Sequence, residues 1–266
     1  MKKSLPLSVS IAAILIAIGA YFGTNILTNP AAKPVSPIDE RATTSPSIEP
    51  PSPEPATEAP KEAIPSDSAA THRVPFVLQA PGAKWDIPIF QDGCEEASML
   101  MAIGWVRDTE SVTAAKAAND ITALADFEVK RFGYHQDISL PEIVSVFREY
   151  FQYDQVMLLE DVTLSDIRQE LSDGNIVLAP TFGQALRNPN YKSPGPITHM
   201  LVLTGYDKTP KEFIVNDPGT RRGENYRYKE AVLFDALWAY PPGTTHPPIP
   251  SPSKRQKSVI VIRPSE

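Results

Sequence analysis

A single cysteine, Cys94, occurs in 266 residues. That excludes an intramolecular disulfide framework and any cysteine-rich zinc or iron–sulfur site. Cations are also short: 25 Lys+Arg stand against 32 Asp+Glu, a formal charge of −7. With no surplus to neutralise phosphates, the balance argues against a nucleic-acid partner. No glycine-rich phosphate loop appears, which argues against a nucleotide. No set of His, Cys, Asp and Glu has metal-ligand spacing, so neither a metal nor another cofactor is expected.

Charge is absent altogether from Ser4 to Ala32. Lys2 and Lys3 precede this stretch, and its apolar heart runs from Leu5 to Leu27. About 20 mostly apolar helical residues span a bilayer, so residues 1–27 are expected to form a signal-anchor transmembrane segment. The dilysine leaves the N-terminus in the cytoplasm by the positive-inside rule. The alternative is a cleaved signal peptide, with Ala17 and Gly19 as the small pair before the cut. Either way the rest of the chain leaves the cytoplasm, at the cell membrane in the first case and secreted in the second. Residues 28–71 lack any aromatic and carry ten of the 28 prolines. Such a segment buries too little apolar surface to offset the entropy of ordering, so a disordered stalk is expected there.

Residues 72–266 are long enough for one domain with its own core. Asp92-Gly93-Cys94-Glu95 reads as a capping box, Asp92 at the cap and Glu95 three residues on, opening a helix whose apolar residues are Ala97, Leu100, Met101, Gly104 and Trp105. Further helices are expected over 112–131, from Ser139 with Glu142 three residues later, over 163–171, and over 230–238. Between and after these, 175–180, 198–206, 211–217, 225–228 and 258–263 read as strands. Helices first and mainly antiparallel strands after predict an α+β domain.

Cys94 falls in the first turn of its helix, where exposed N–H groups and the dipole favour a thiolate. A second contributor, an imidazolium, is needed, and His199 is the best candidate because it begins an otherwise apolar strand. If Tyr206 opposes Glu212, His199 lies opposite Gly219, and Asp217 is a diagonal neighbour on the same face that can accept the imidazole N–H. Asn216 points to the other face and is the reserve. Glu95 and Glu96 work against a low thiol pKa, unless Glu95 caps the helix and Glu96 faces water. Trp85 and Ile89 either form a lip to the cleft or pack beneath their loop. Arg221 and Arg222 read as solvated loop charges, with a substrate contact as the lesser alternative. His72, His135 and His246 have no spaced partners.

Four runs in order carry a resemblance: Val74 to Pro81, Gly93 to Ser98, Thr198 to Asp207, and Val215 to Gly219. Together they resemble the C39-like peptidases, papain-like cysteine peptidases related to the peptidase domains of bacteriocin exporters. The resemblance implies a papain-like fold, with Cys94 as nucleophile, His199 as general base and acid, and Asp217 orienting His199. It implies that the Gln79 amide helps stabilise the oxyanion. Two departures stand out: the insertion Pro81–Asp92 separates Gln79 from Cys94, which leaves Gln91 as a second oxyanion candidate, and no transporter or ATPase is appended. The expected function is a membrane-tethered thiol peptidase acting on a peptide or protein outside the cytoplasm. A cell-wall amidase or transpeptidase, or a non-catalytic peptide-binding module, would use the same fold.

Overall fold

A computed structural model describes residues 71–243 and 247–265. The expected anchor (1–27), almost all of the stalk and His246 lie outside the described residues. Among those described, no helix is long and apolar enough to cross a membrane. The elements in chain order are α1 (Pro88–Gln91), α2 (Cys94–Val106), α3 (Ala114–Phe132), α4 (Leu140–Glu149), β1 (Val156–Leu159), α5 (Leu164–Ser172), β2 (Ile176–Phe182), β3 (Thr198–Asp207), β4 (Glu212–Asn216), β5 (Tyr226–Lys229), α6 (Glu230–Ala236) and β6 (Val259–Ile262). The six strands form one antiparallel sheet in the order β1-β6-β2-β3-β4-β5. The expected α+β class holds.

Why the strands read as unbroken apolar runs follows from the layering. Ile176, Leu178, Met200, Val202, Ile260 and Ile262 pack with α2, α3 and α4 on one face. Their neighbours Val177, Ala179, Leu201, Leu203, Val259 and Val261 pack with α5 and α6 on the other. A sheet covered on both faces has no polar alternation to show.

Local signals set most helix ends. Thr113 caps α3 by accepting from the Lys116 N–H, and Gly133 closes it at φ 93°. Ser139 and Glu142 form the expected capping box on α4, and Thr163 with Asp166 forms another on α5. The box expected at α2 does not form. Gly93, not Asp92, is the N-cap, and no side chain caps the helix. Glu95 instead turns into the core, as the site shows. The short strand β1 and helix α1 were not anticipated; four residues are too few to show a period.

Helix α3 buries Ala117, Ile121, Leu124 and Ala125, and on the same stripe Glu128. No donor reaches either Glu128 carboxyl oxygen, and the polar group it meets is the carboxyl of Glu96. Burial first, then the carboxylates of Glu96 and Glu95, push its pKa up to about 11. The unfolded chain ionises this group above pH ~4.3, while the folded chain keeps it protonated. Glu128 therefore favours the fold most below that pH and progressively less as pH rises. Glu128→Gln keeps the shape and removes the ionisable group. It is expected to stabilise the domain on the order of 2 kcal/mol at pH 8 and much less at pH 4, measured by urea midpoints at the two pH values.

Candidate active site

The strand pair β3–β4 brings two of the candidate residues together. Tyr206 pairs with Phe213, not Glu212, but a bulge between Leu203 and Gly205 shifts the register by one. Beyond it Val202 pairs with Asn216, the register that the sequence reading needed at this end. Asp217 leaves β4 on the His199 side, and His199 Nε2 lies 2.8 Å from Asp217 Oδ1. Asn216 faces the other way, donating from Nδ2 to the Val74 carbonyl and accepting from the Asn225 N–H.

Asp217 is fully buried and heavily hydrogen-bonded. Besides His199, it accepts from Asn188 Nδ2 at 3.1 Å, the Tyr191 hydroxyl at 2.6 Å, the Tyr228 hydroxyl at 2.8 Å and the Gly219 N–H at 3.0 Å. Burial alone would raise its pKa, but His199 and the tyrosine hydroxyls outweigh it and hold the carboxyl below its usual range. The sequence reading missed Asn188, Tyr191 and Tyr228. Nothing local marks them, since they lie 29, 26 and 11 residues from Asp217. Backbone crowding completes the arrangement. A Cβ on Gly219 would come within 2.9 Å of His199 Cε1, and one on Gly223 within 1.9 Å of the Asp217 carbonyl oxygen. Only glycine fits either place.

Cys94 begins α2, as expected, and is 4% exposed. Helix α2 packs against β3, where Ser98 Oγ donates to the Met200 carbonyl. Cys94, His199, Gln79 and Gly219 all line one cleft of about 1400 Å3. The thiol, however, donates to Glu95 Oε2 at 3.0 Å. Glu95 also accepts from the buried Tyr240 hydroxyl at 2.5 Å. Neither condition for a low thiol pKa is met, because Glu95 bonds the thiol and Glu96 is wholly buried. Burial, Glu95 and then Asp137 push the Cys94 thiol up. In this conformation the helix dipole does not prevail.

Asp137, also missed, lines the cleft. It is buried with Oδ2 unpartnered. Burial first, and then the charges of Asp92 and Glu96, raise its pKa to about 7 against a hydrogen bond from Thr198. His135 does have a neighbour: its Nδ1 is 3.6 Å from Glu96 Oε1.

Gln79 is buried on the cleft wall. Its amide donates to the carbonyls of Phe90 (3.3 Å) and Gln91 (3.0 Å), both within the insertion. Gln91 lines the same cleft and donates to the Trp85 carbonyl at 2.9 Å. Of the two insertion residues, Trp85 lines the cleft at 43% exposure, and Ile89 packs partly buried against the core.

A sequence model of the Peptidase C39-like family matches residues 71–241. The chain belongs to that family. Such membership makes the domain a relative of cysteine peptidases and agrees with the papain-like arrangement of helices on an antiparallel sheet. The solved structures to which it is similar include one from Bacillus anthracis, whose own assignment as a C39-like peptidase is provisional. That similarity has a TM-score of 0.47 at 15% identity, covering 75% of this chain and 100% of the other. No curated protein matches.

The hydrogen bond from thiol to Glu95 has a measurable consequence. Alkylation of Cys94 in the free C39-like domain is expected to rise steeply only above neutral pH, since the thiolate is disfavoured. Glu95→Gln removes the carboxyl that accepts from the thiol and opposes the thiolate, and is expected to move the midpoint of that profile to lower pH. Iodoacetamide rates across pH 6–10 for both proteins give the comparison. A midpoint in the variant at or above that of the unaltered protein would contradict the role assigned to Glu95.

Proposed function

We propose that this chain is a membrane-tethered cysteine peptidase acting outside the cytoplasm, with Cys94 as nucleophile, His199 as general base and acid, and Asp217 orienting the imidazole. The observation that carries this reading is the buried Asp217–His199 pair bordering the same cleft as Cys94 at the start of α2. Nε2 of His199 is committed to Asp217, so Nδ1 is the nitrogen left for the nucleophile. Lys2 and Lys3 before the uncharged run support the tether and its direction.

The chemistry follows. Substrate entering the cleft turns the thiol from Glu95 towards His199, which takes the proton. The thiolate adds to the peptide carbonyl carbon, and the negative charge moves to the carbonyl oxygen. The Cys94 N–H, in the first turn of α2, is one donor for that oxyanion. The second is the Gln79 amide, which must exchange one of its carbonyl partners for the substrate oxygen, or else the Gln91 amide. Collapse expels the amine, protonated by the imidazolium, and leaves an acyl-enzyme. Water, deprotonated by His199, then releases the acid and regenerates the thiol.

Variants separate these roles. Cys94→Ala abolishes acyl-enzyme formation with the fold intact, and His199→Ala abolishes turnover. Asp217→Asn retains part of the activity, because an amide oxygen still accepts the ring N–H without stabilising its charge. Whichever glutamine is the oxyanion donor loses ~100-fold or more in kcat as its alanine variant, with little change in thiol alkylation. Labelling with a thiol-reactive acyl probe and turnover of a fluorogenic peptide report these. An unlabelled Cys94 and turnover indifferent to His199→Ala would sink the peptidase reading in favour of a peptide-binding module.

The tether predicts that, in intact cells, added protease digests the domain from residue 72 on and that the domain sediments with membranes. Recovery only as a soluble species with a new N-terminus near Ala20 would instead mean a cleaved signal peptide.

A further inference from the structure

The cleft is lined by charges of both signs. Asp92 and Asp137 are its acids, and Lys192, Arg221 and Arg222 its cations on the loops that reach His199 and Asp217. All three cations are exposed, and none has an ion-pair partner among the described residues. Elsewhere on the domain some cations are paired, Arg131, Arg227, Lys229 and Arg255 each within 3.1 Å of a carboxylate, and others such as Lys130 and Lys254 are not. It is their shared place in the cleft that sets these three apart. Glu224, the acid nearest in that loop, does not line the cleft.

These cations are not on free-swinging loops. Lys192 follows Tyr191, whose hydroxyl is bonded to Asp217 Oδ2 and whose ring packs edge-on against His199 at 5.5 Å. Arg221 and Arg222 follow Gly219 and Thr220. The Gly219 N–H is bonded to Asp217 Oδ1, and Thr220 Oγ1 accepts from the Arg222 N–H. The Gly223 N–H donates to the Thr220 carbonyl, and the Gly223 carbonyl accepts from the Asp217 N–H. Both loops are thus fixed to the carboxylate that holds the imidazole, and the three cations border the place where a peptide would lie. Clustering them, in a chain of net charge −7, raises their mutual repulsion unless something anionic enters between them.

We propose that Lys192, Arg221 and Arg222 bind a carboxylate of the substrate, which makes acidic peptides the substrate class of this cleft. The inference rests on the peptidase reading for the bond cleaved, but not for the charge preference. Acidic protein segments and acidic cell-wall peptides share the recognised chemistry.

The test uses the full chain in detergent with matched fluorogenic peptides, one set carrying Asp or Glu on both flanks of the scissile bond and the other Asn or Gln. The acidic set is expected to show a kcat/KM higher by about tenfold, chiefly through KM, with the preference shrinking in 0.5 M NaCl. In the Arg221→Gln/Arg222→Gln protein the preference should fall to about twofold or less, and Lys192→Gln should reduce it in part. A purified stem peptide run alongside, with and without its carboxylates amidated, tells wall peptide from protein segment by the same ratio. Equal rates for both sets, or a preference untouched by the double variant, would overturn the proposal while leaving the peptidase intact. Should no peptide be cleaved, Cys94→Ala protein is titrated with the same labelled peptides by anisotropy. Tighter binding of the acidic set, lost in the double variant, supports the charge reading and counts against catalysis; binding without charge preference overturns the charge reading.

Discussion

The buried carboxylate of Asp217 is the constraint around which this domain is arranged. Removing an ion from water costs several kcal/mol unless its lone pairs are satisfied. Here five donors converge on it, from His199 on β3, Tyr228 on β5, Asn188 and Tyr191 in the loop between β2 and β3, and the Gly219 N–H after β4. Hydrogen bonds to a charged group are worth roughly 1.5–3 kcal/mol each, so the set offsets the desolvation only while it is nearly complete. One carboxylate thereby couples strand pairing, two loop conformations and the direction of an imidazole. The glycines at 219 and 223 follow from the same crowding, because side chains there would strike the ring or the Asp217 backbone.

The carboxyls in and around the first turns of α2 are handled in the reverse way. Glu95, Glu96 and Glu128 are fully buried and Asp137 nearly so, yet few donors reach them. Burial raises all four, and repulsion from neighbouring carboxylates adds to it at Glu95, Glu128 and Asp137. Two groups of carboxyls within one domain are therefore pushed in opposite directions by solvation and partners, one held as an anion and the other towards the neutral acid. Separated pKa values of this kind are how a site assigns acid and base roles at a single pH. They also make acid and alkali act on different parts of the molecule. Lowering the pH threatens the Asp217 network, and raising it charges the core beneath Cys94.

Much of the fold was legible because local chemistry and pattern agreed. Ser139 with Glu142 marked a real capping box, Thr163 opened one helix and Gly133 closed another where expected, and five of six strands fell within a few residues of their predicted bounds. The Asp92–Glu95 pattern had the same letters and failed. The Glu95 carboxyl, buried beside a tyrosine hydroxyl and a thiol, bonds these and not the helix end. No window of sequence contains Tyr240, so that competition was invisible. The β3–β4 register shows the complementary case. The starting pair Tyr206–Glu212 was off by one, and the bulge between Leu203 and Gly205 restored the pairing at the end that matters. A hydrophobic pattern that is buried on both faces cannot report such a bulge. Of the candidate residues, Cys94, His199, Asp217 and Gln79 do border or underlie one cleft, but Asn188, Tyr191, Tyr228 and Asp137 were not found. Their roles depend on distances across the fold that spacing does not encode.

The resting arrangement has a mechanistic implication of its own. His199 is already oriented, through Nε2, by a carboxylate that titrates below the usual range. Cys94 is not yet engaged, since its proton lies towards Glu95. With the roles proposed for them, the base is prepared and the nucleophile withheld, which separates two properties that coincide in an exposed thiolate–imidazolium pair. Buried and held as the thiol, free Cys94 is expected to be a poor target for oxidants and alkylating agents. In the proposed mechanism, transfer to His199 then depends on substrate, whose entry would exclude water and strengthen the imidazolium–thiolate attraction as it forms. The pH dependence of alkylation reports the first state, and that of kcat reports the second. The two profiles are therefore expected to lie apart on the pH axis, with kcat reaching its plateau at the lower pH, and the gap measures what substrate binding contributes to forming the nucleophile.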